Sequence, residues 1–414
     1  MYHVLVTGNG FDIEHKIPSS YKQFLEFVKV FVDFYKYRNE TFNVLQKENI
    51  FTNKIKNISL NYKEILSVLK YGDEIDKECL EELYKCTYNN TWITYFQQCL
   101  KKRKAYGKEY NWVDIEEEIA DVMRLLEKHK QKYGIVELRG DEILKITNGQ
   151  TENSSELLLD VVSRIREYEA QGNTNYYQLG VANVKLENLE ENHKSWILLK
   201  SRFQEDYNKM IRSLEIYLDF IIDSSKIKKV DYFSDLHFNL IVTFNYTNTY
   251  RNHYLNTNTN FIHGKSDYKR SAEENDMVLG IDEFLPIEQK NNDIEFIDYR
   301  KYYQRIIKKC NFNYRKIMKD EDRIIVWFFG HSMSATDRDI LIHFLPSNND
   351  GILKTYICYH SKDAFRQQVA NLVQILGQDR LSELVCGINP KLIFINQMDI
   401  VKEMEKCQKD KGDL

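Results

Sequence analysis

Two kinds of text alternate along the chain. Val4, Leu5 and Val6 form a short apolar run that stops at Thr7-Gly8-Asn9-Gly10, the pattern of a buried parallel strand ending in a glycine turn. From about residue 36 to about residue 235 glycine and proline become scarce, lysine and glutamate abundant, and apolar residues recur at gaps of three and four. That spacing predicts a helical block. Beyond Lys229 short apolar runs return at 240–244, 261–262, 277–281, 324–329, 354–359 and 392–395, with helical text between several of them. Strands alternating with helices predict an α/β fold with an open, doubly wound, Rossmann-like parallel sheet, in which a ligand lies beyond the carboxyl ends of the strands. The expected division is a nucleotide-binding core made of residues 1–35 plus 236–414, interrupted by a mostly α-helical insertion over 36–235.

Several helices can be placed more closely. Ser20 and Gln23 form a capping box ahead of Tyr21, Phe24, Leu25, Val28 and Phe31, which recur at helical spacing. Within the helical block Trp112, Ile115, Ile119 and Val122 share one face, while Asp114, Glu116, Glu117, Glu118 and Asp121 decorate the rest. Such an acidic run reads first as a solvated face, with a metal or catalytic role for Asp114 and Glu117 or Glu118 as the sharper alternative. The densest basic run, Lys101 to Lys104, reads as a solvated loop between two helices, and 171–180 reads as a polar loop. Phe296, Tyr299, Tyr303, Ile306, Cys310, Tyr314 and Ile317 mark one long amphipathic helix, basic on its other side. Ser334 and Asp337 are expected to cap a helix carrying Ile340, Leu341 and Phe344, and Asn245 to cap one over 247–254.

The composition narrows the class. With 43% hydrophobic and 29% charged residues and a formal charge of −4, neither disorder nor a bulk polyanion-binding surface is indicated. No apolar run approaches bilayer length and the chain starts directly on a strand, so a cytoplasmic protein without a membrane partner is expected. The seven cysteines, at 79, 86, 99, 310, 358, 386 and 407, include no Cys-x-x-Cys pair, so they read as reduced packing residues and no metal is expected.

Candidate chemistry gathers at the strand ends. Gly8 and Gly10 would take positive φ and let backbone N–H groups cradle a phosphate, although Ile13 stands where the dinucleotide fingerprint has a third small residue. Asn245, His263, Gly330-His331-Ser332 and Asn396 also follow strands, and one parallel sheet would bring them with the glycine turn to a shared nucleotide site.

The motifs Gly8-Asn9-Gly10-Phe11-Asp12-x-x-His15-x-x-Pro18-x-x-Tyr21, Thr243-Phe244-Asn245-Tyr246-Thr247, Ile262-His263-Gly264, Gly330-His331-Ser332-x-x-x-x-Asp337 and Trp112-x-Asp114-x-Glu116 closely resemble the AbiH family of bacterial abortive-infection (phage-defence) proteins. Lys16 departs from the glycine usual in that family. More distantly, the order of motifs resembles the sirtuin-like NAD-binding fold. That resemblance implies that Gly8 and Gly10 face the pyrophosphate, Asn245 the nicotinamide ribose and Asn396 the adenosine ribose, that Ser332 helps hold phosphate, and that His263 is the general base. Asn9, Phe11, His15, Gly330, His331 and Asp337 complete the expected cofactor-binding set, with Asn9 and Asp12 departing from the sirtuin loop. The four-cysteine zinc ribbon of deacylating sirtuins has no counterpart in the sequence, so water is the simpler acceptor and NAD hydrolysis the implied reaction. Asp12 would stabilise the developing positive charge, or orient His15 or the turn. The helical insertion would cover the site or sense a phage-derived trigger or partner, and a homo-oligomer is compatible with all of this. Two alternatives stand beside it. One is a nucleotide-binding sensor or interaction module without turnover; the other is a metal-dependent nuclease using Asp114 and Glu117 or Glu118, with Lys101 to Lys104 and the basic residues of 300–316 on nucleic acid.

Overall fold

Apolar runs that stop at polar turns build a single sheet in the computed structural model, which describes residues 1–36, 74–105, 112–133, 155–170, 189–222, 229–254, 258–281, 294–310, 312–321, 323–346 and 351–409. The strands are β1 (Tyr2–Thr7), β2 (Leu240–Thr243), β3 (Thr259–Phe261), β4 (Ile324–Phe329), β5 (Ile352–Tyr359) and β6 (Leu392–Asn396). All pairs are parallel, in the order β3-β2-β1-β4-β5-β6. Val4 lies between Leu240 and Val326 at the centre. The chain runs outward from β1 to β3, then returns to β4 beside β1 and runs outward to the other edge. Folds wound in this way bind ligands beyond the carboxyl ends of the strands where the winding reverses, which here are β1 and β4.

Alternation along each strand fills two cores. Val4, Val6, Val242, Val326 and Phe328 face Ile340, Phe344, Leu372 and Leu381 on one side. Leu5, Ile241, Trp327 and Phe329 face Phe11, Phe233, Tyr250, Ile400 and Met404 on the other.

The remaining apolar mass is a helical layer. Its helices are α2 (Tyr21–Lys36), α3 (Glu74–Thr87), α4 (Thr91–Ala105), α5 (Trp112–Tyr133), α6 (Leu157–Ala170) and α7 (Leu189–Ile216), α1 (Asn9–Glu14) being the short helix that follows β1. Phe24, Phe27, Trp92, Ile119, Leu158 and Leu214 share one cluster with Tyr246, Met277, Leu279 and Tyr299 from the second half of the chain. Helix α2, which the sequence groups with the sheet, therefore packs with the helices, its Phe24 and Phe27 rings against Tyr217. Its start is as expected: Ser20 and Gln23 exchange capping bonds. The later helices are α8 (Thr249–His253), α9 (Lys301–Ile307), α10 (Asn313–Lys319), α11 (Arg338–Leu341), α12 (Lys362–Leu376), α13 (Gln378–Cys386) and α14 (Ile400–Lys409). Among the described residues no helix is long and apolar enough to cross a membrane.

Three local expectations are corrected. The run 277–281 is no strand of the sheet. It is a strap whose backbone bonds go elsewhere: Val278 N–H to the His263 carbonyl, and the Val278 and Leu279 carbonyls to the hydroxyls of Tyr246 and Tyr207. The long helix over 296–317 is broken into a 3-10 turn, α9 and α10, with Lys309 at φ 52 between the two helices. The basic run at 101–104 lies on the last turn of α4, where Lys101 and Lys102 are exposed and Arg103 meets Glu118 at 3.4 Å. The polar stretch 171–180 and the side chains of Trp112 and Asp114 lie outside the described residues.

Lys16 takes a left-handed conformation that favours glycine. Helix α1 ends in a Schellman motif: Ile17 N–H bonds the Asp12 carbonyl and Lys16 N–H the Ile13 carbonyl, both at 2.9 Å, with Lys16 at φ 62. An L side chain in this conformation costs about 1 kcal/mol, which glycine avoids at the expense of unfolded-state entropy. Lys16→Gly is therefore expected to leave stability unchanged or raise it by up to about 1 kcal/mol in urea unfolding; a loss of that size would contradict this reading.

Candidate functional site

The glycine turn after β1 is built for contact with the turn after β4. Gly8 N–H donates to the Phe329 carbonyl at 3.1 Å, Gly10 N–H to the Gly330 carbonyl at 2.8 Å, and Phe11 N–H back to Gly8 at 2.9 Å. A Cβ on Gly10 would lie 2.6 Å from Gly330 Cα, and one on Gly8 2.8 Å from His331 Cα. Neither glycine has positive φ; in this pair of turns Gly330 does, at 67°. The expectation of positive φ at Gly8 and Gly10 is thus corrected: these residues are small because two backbones cross there, and these three N–H donors are already engaged.

Around this crossing the other strand-end residues take distinct places. The Asn245 amide donates to the Gly8 carbonyl at 3.0 Å and so pins the β2 end to the glycine turn, while α8 starts later, after Asn248. Asn9 accepts from Ser19 at 3.0 Å. Phe11 is enclosed among Phe233, Tyr250 and Phe329 in the core. His15 is buried between the Phe11 carbonyl at 2.7 Å and the Tyr254 hydroxyl at 2.5 Å. Ser332 is exposed, and its carbonyl accepts from Asn371. Asn396 ends β6, separated from β4 by β5, and caps the turn beyond by accepting from Met398 N–H.

Asp12 is fully inside. Its two oxygens accept from Thr247 and Thr249, each at 2.7 Å, and it makes no bond to His15. Burial pushes its carboxyl up to about 6, against those hydrogen bonds, which favour the charged form. Because the folded value lies above the ordinary 3.8, the stabilisation linked to the protonated form is complete below about pH 4 and is lost as pH rises through about 6. The stability of the parent minus that of Asp12→Asn should accordingly fall by about 2 kcal/mol between pH 4 and pH 7, read from urea midpoints. A flat difference would show that the carboxyl is not held up.

The charged centre of the site lies beside this crossing. Phe244 stacks edge-on against both His331, at 4.5 Å, and His263, at 5.5 Å. His331 Nδ1 accepts from Met333 N–H, and burial pushes the ring down to about 4, so it is neutral at pH 7. His263 is also buried and shifted down, chiefly by desolvation, with Asp337 opposing. Its Nε2 lies 3.2 Å from Asp337 Oδ1, and its Nδ1 is buried without a hydrogen-bond partner among the described residues. Burial alone would raise Asp337, but Lys301 and His263 hold it well below the carboxylate range. An ionised Asp337 requires the proton of the neutral ring to sit on Nε2, which leaves a lone pair on Nδ1.

Lys301 and Glu116 complete the cluster. Lys301 Nζ is 2.8 Å from Asp337 Oδ1 and 2.7 Å from Glu116 Oε1. Burial pushes Glu116 up to about 7, opposed by Lys301 and reinforced by Asp337; Lys301 itself is raised, because the two carboxylates outweigh its own burial. Arg305 pairs with Asp339 alongside.

Helix α9 is thereby turned inside out. Lys301, Gln304 and Arg305 are buried, while Ile306 is 67% and Ile307 60% exposed. Placing Ile306 on the apolar side of an amphipathic helix is corrected, because it is the basic side that is buried, where it meets Glu116, Asp337 and Asp339, which need counter-charges. Lys301 and Arg305 as site residues were not readable from periodicity. Glu116 stood in the acidic run read as a solvated face and at the end of Trp112-x-Asp114-x-Glu116, whereas its neighbour Glu117 is exposed and Glu118 meets the Tyr95 hydroxyl and Arg103.

The family described as bacteriophage abortive infection AbiH matches residues 4–355, most of the chain. No curated protein and no solved structure matches it.

Proposed function

Because the chain belongs to the AbiH family of bacteriophage abortive infection proteins, we propose that it is a phage-defence effector that hydrolyses NAD to nicotinamide and ADP-ribose, with His263 as general base. The observation that carries this reading is the His263–Asp337 pair: a neutral imidazole, oriented by an ionised carboxylate, with its second nitrogen unpartnered. It lies beside the point of a 3-2-1-4-5-6 parallel sheet where such folds bind dinucleotides. The likeness of the motif order to sirtuin-like proteins points the same way.

The reaction asks for one base. The bond between ribose C1′ and the nicotinamide nitrogen breaks, its electron pair stays on that nitrogen, and nicotinamide leaves neutral without needing a proton. Water attacks C1′ and gives its proton to His263 Nδ1, while Asp337 accepts from Nε2–H and supports the imidazolium that forms. Asn245 and Asp12 shape the two turns around the crevice rather than carry protons. His263 is 5% exposed, so the reaction requires its cover to open. Incubating the purified chain with NAD, alone and with phage lysate, and following nicotinamide tests the reading. Release at a multiple of the enzyme concentration is expected; NAD bound but recovered intact would replace the hydrolase with a nucleotide sensor.

A further inference from the structure

We propose that Glu116 is a positioning residue lent to the site by the helical layer: by holding Lys301 it sets how that lysine loads the Asp337 oxygen that orients His263, and so couples the helical layer to the base. The inference rests on His263 as the working group of the proposed reaction and names how that site is controlled.

Geometry carries it. One oxygen, Asp337 Oδ1, receives both Lys301 Nζ at 2.8 Å and His263 Nε2 at 3.2 Å, and Lys301 is shared in turn with Glu116 at 2.7 Å. Lys301 is 2% exposed, so its charge is distributed between these carboxylates rather than diluted in water. Glu116 stands on α5, whose neighbouring Ile115 and Ile119 are anchored in the helical cluster, whereas Asp337 follows β4 of the sheet. The bridge is therefore a link between the two packed masses at the candidate base. When Glu116 is ionised and in place, Lys301 is divided and Asp337 accepts strongly from His263. When Glu116 is protonated or drawn away with its helix, Lys301 loads Asp337 alone and the bond to His263 weakens.

The surrounding charges are accounted for. His263 faces Asp337, Lys301, Arg305 and His331; Arg305 is engaged by Asp339, and His331 stays neutral near pH 7. Glu116 faces Lys301, Asp337, the Thr336 side chain and the hydroxyls of Tyr246 and Tyr207, which donate to the Val278 and Leu279 carbonyls. With burial pushing it to about 7, Glu116 is the member of this cluster that changes charge around neutrality.

NMR of the full chain labelled with 15N-histidine tests this between pH 8.5 and pH 6, with His263 assigned by loss of its signal in His263→Gln. In the parent, the His263 Nε2–H proton should move upfield as pH falls through about 7 while the ring nitrogens keep their neutral shifts. In Glu116→Gln the signal should sit at the low-pH position throughout, and in Lys301→Met the movement should be lost. A movement that persists in Glu116→Gln overturns the proposal, and this isosteric variant decides the matter even if Lys301→Met does not fold. A movement undiminished in a folded Lys301→Met overturns it as well, since Glu116 would then act without the bridge. Nicotinamide release measured on the same samples separates the two readings. The expected pattern without release supports the coupling and removes the NAD reading; release without the pattern removes the coupling.

Discussion

His263→Ala is expected to lower nicotinamide release by about two to four orders of magnitude, the usual cost of losing a positioned general base. The loss should fall on kcat, because the lone pair on Nδ1 acts on water in the transition state and the ring is buried away from any recognition surface in this structure. Asp337→Asn should cost less than His263→Ala but push in the same direction, since an amide can donate to Nε2 and favour the wrong tautomer. Asp114→Ala should leave release largely intact. If Asp114→Ala lost protection against phage while His263→Ala kept it, the metal-dependent nuclease would move ahead; if both behaved like the parent, a sensor without turnover would gain.

Gly330→Val should damage the fold near the site severely. At φ 67 an L residue pays about 1–2 kcal/mol before any contact is counted. The added Cβ would stand 2.2 Å from Phe11 N and 2.4 Å from the Gly10 carbonyl carbon, both backbone atoms that cannot rotate aside. Overpacking of this kind costs roughly a further 1–3 kcal/mol, so a loss of about 2–5 kcal/mol is expected, a large part of the stability of an ordinary domain. Gly10→Ala meets Gly330 Cα at 2.6 Å without a positive φ and should cost less. Urea unfolding of the three proteins checks the order. Equal stability in all of them would mean that the turns separate easily.

These two predictions reflect how differently the fold and the site are written in the sequence. Strand ends were legible because an apolar run followed by Asn245, His263 or Gly330-His331 marks where a buried strand emerges, and the parallel sheet then aligns those ends. The Lys301 bridge was not legible. Periodicity assigns the apolar side of a helix to the core, and α9 reverses that rule because its basic residues answer carboxylates from α5 and from the turn after β4. Such pairings depend on residues distant in sequence, so no local pattern announces them. The glycines illustrate a second limit: Gly8 and Gly10 look like a phosphate cradle, yet a requirement for a small residue is the same whether a ligand or another stretch of backbone comes close.

The NAD content of phage-infected cells expressing the parent chain or His263→Gln tests the central claim most directly. The account predicts that NAD collapses before lysis in cells carrying the parent and stays level in cells carrying the variant, which also lose protection. Protection by the parent with NAD unchanged would contradict it.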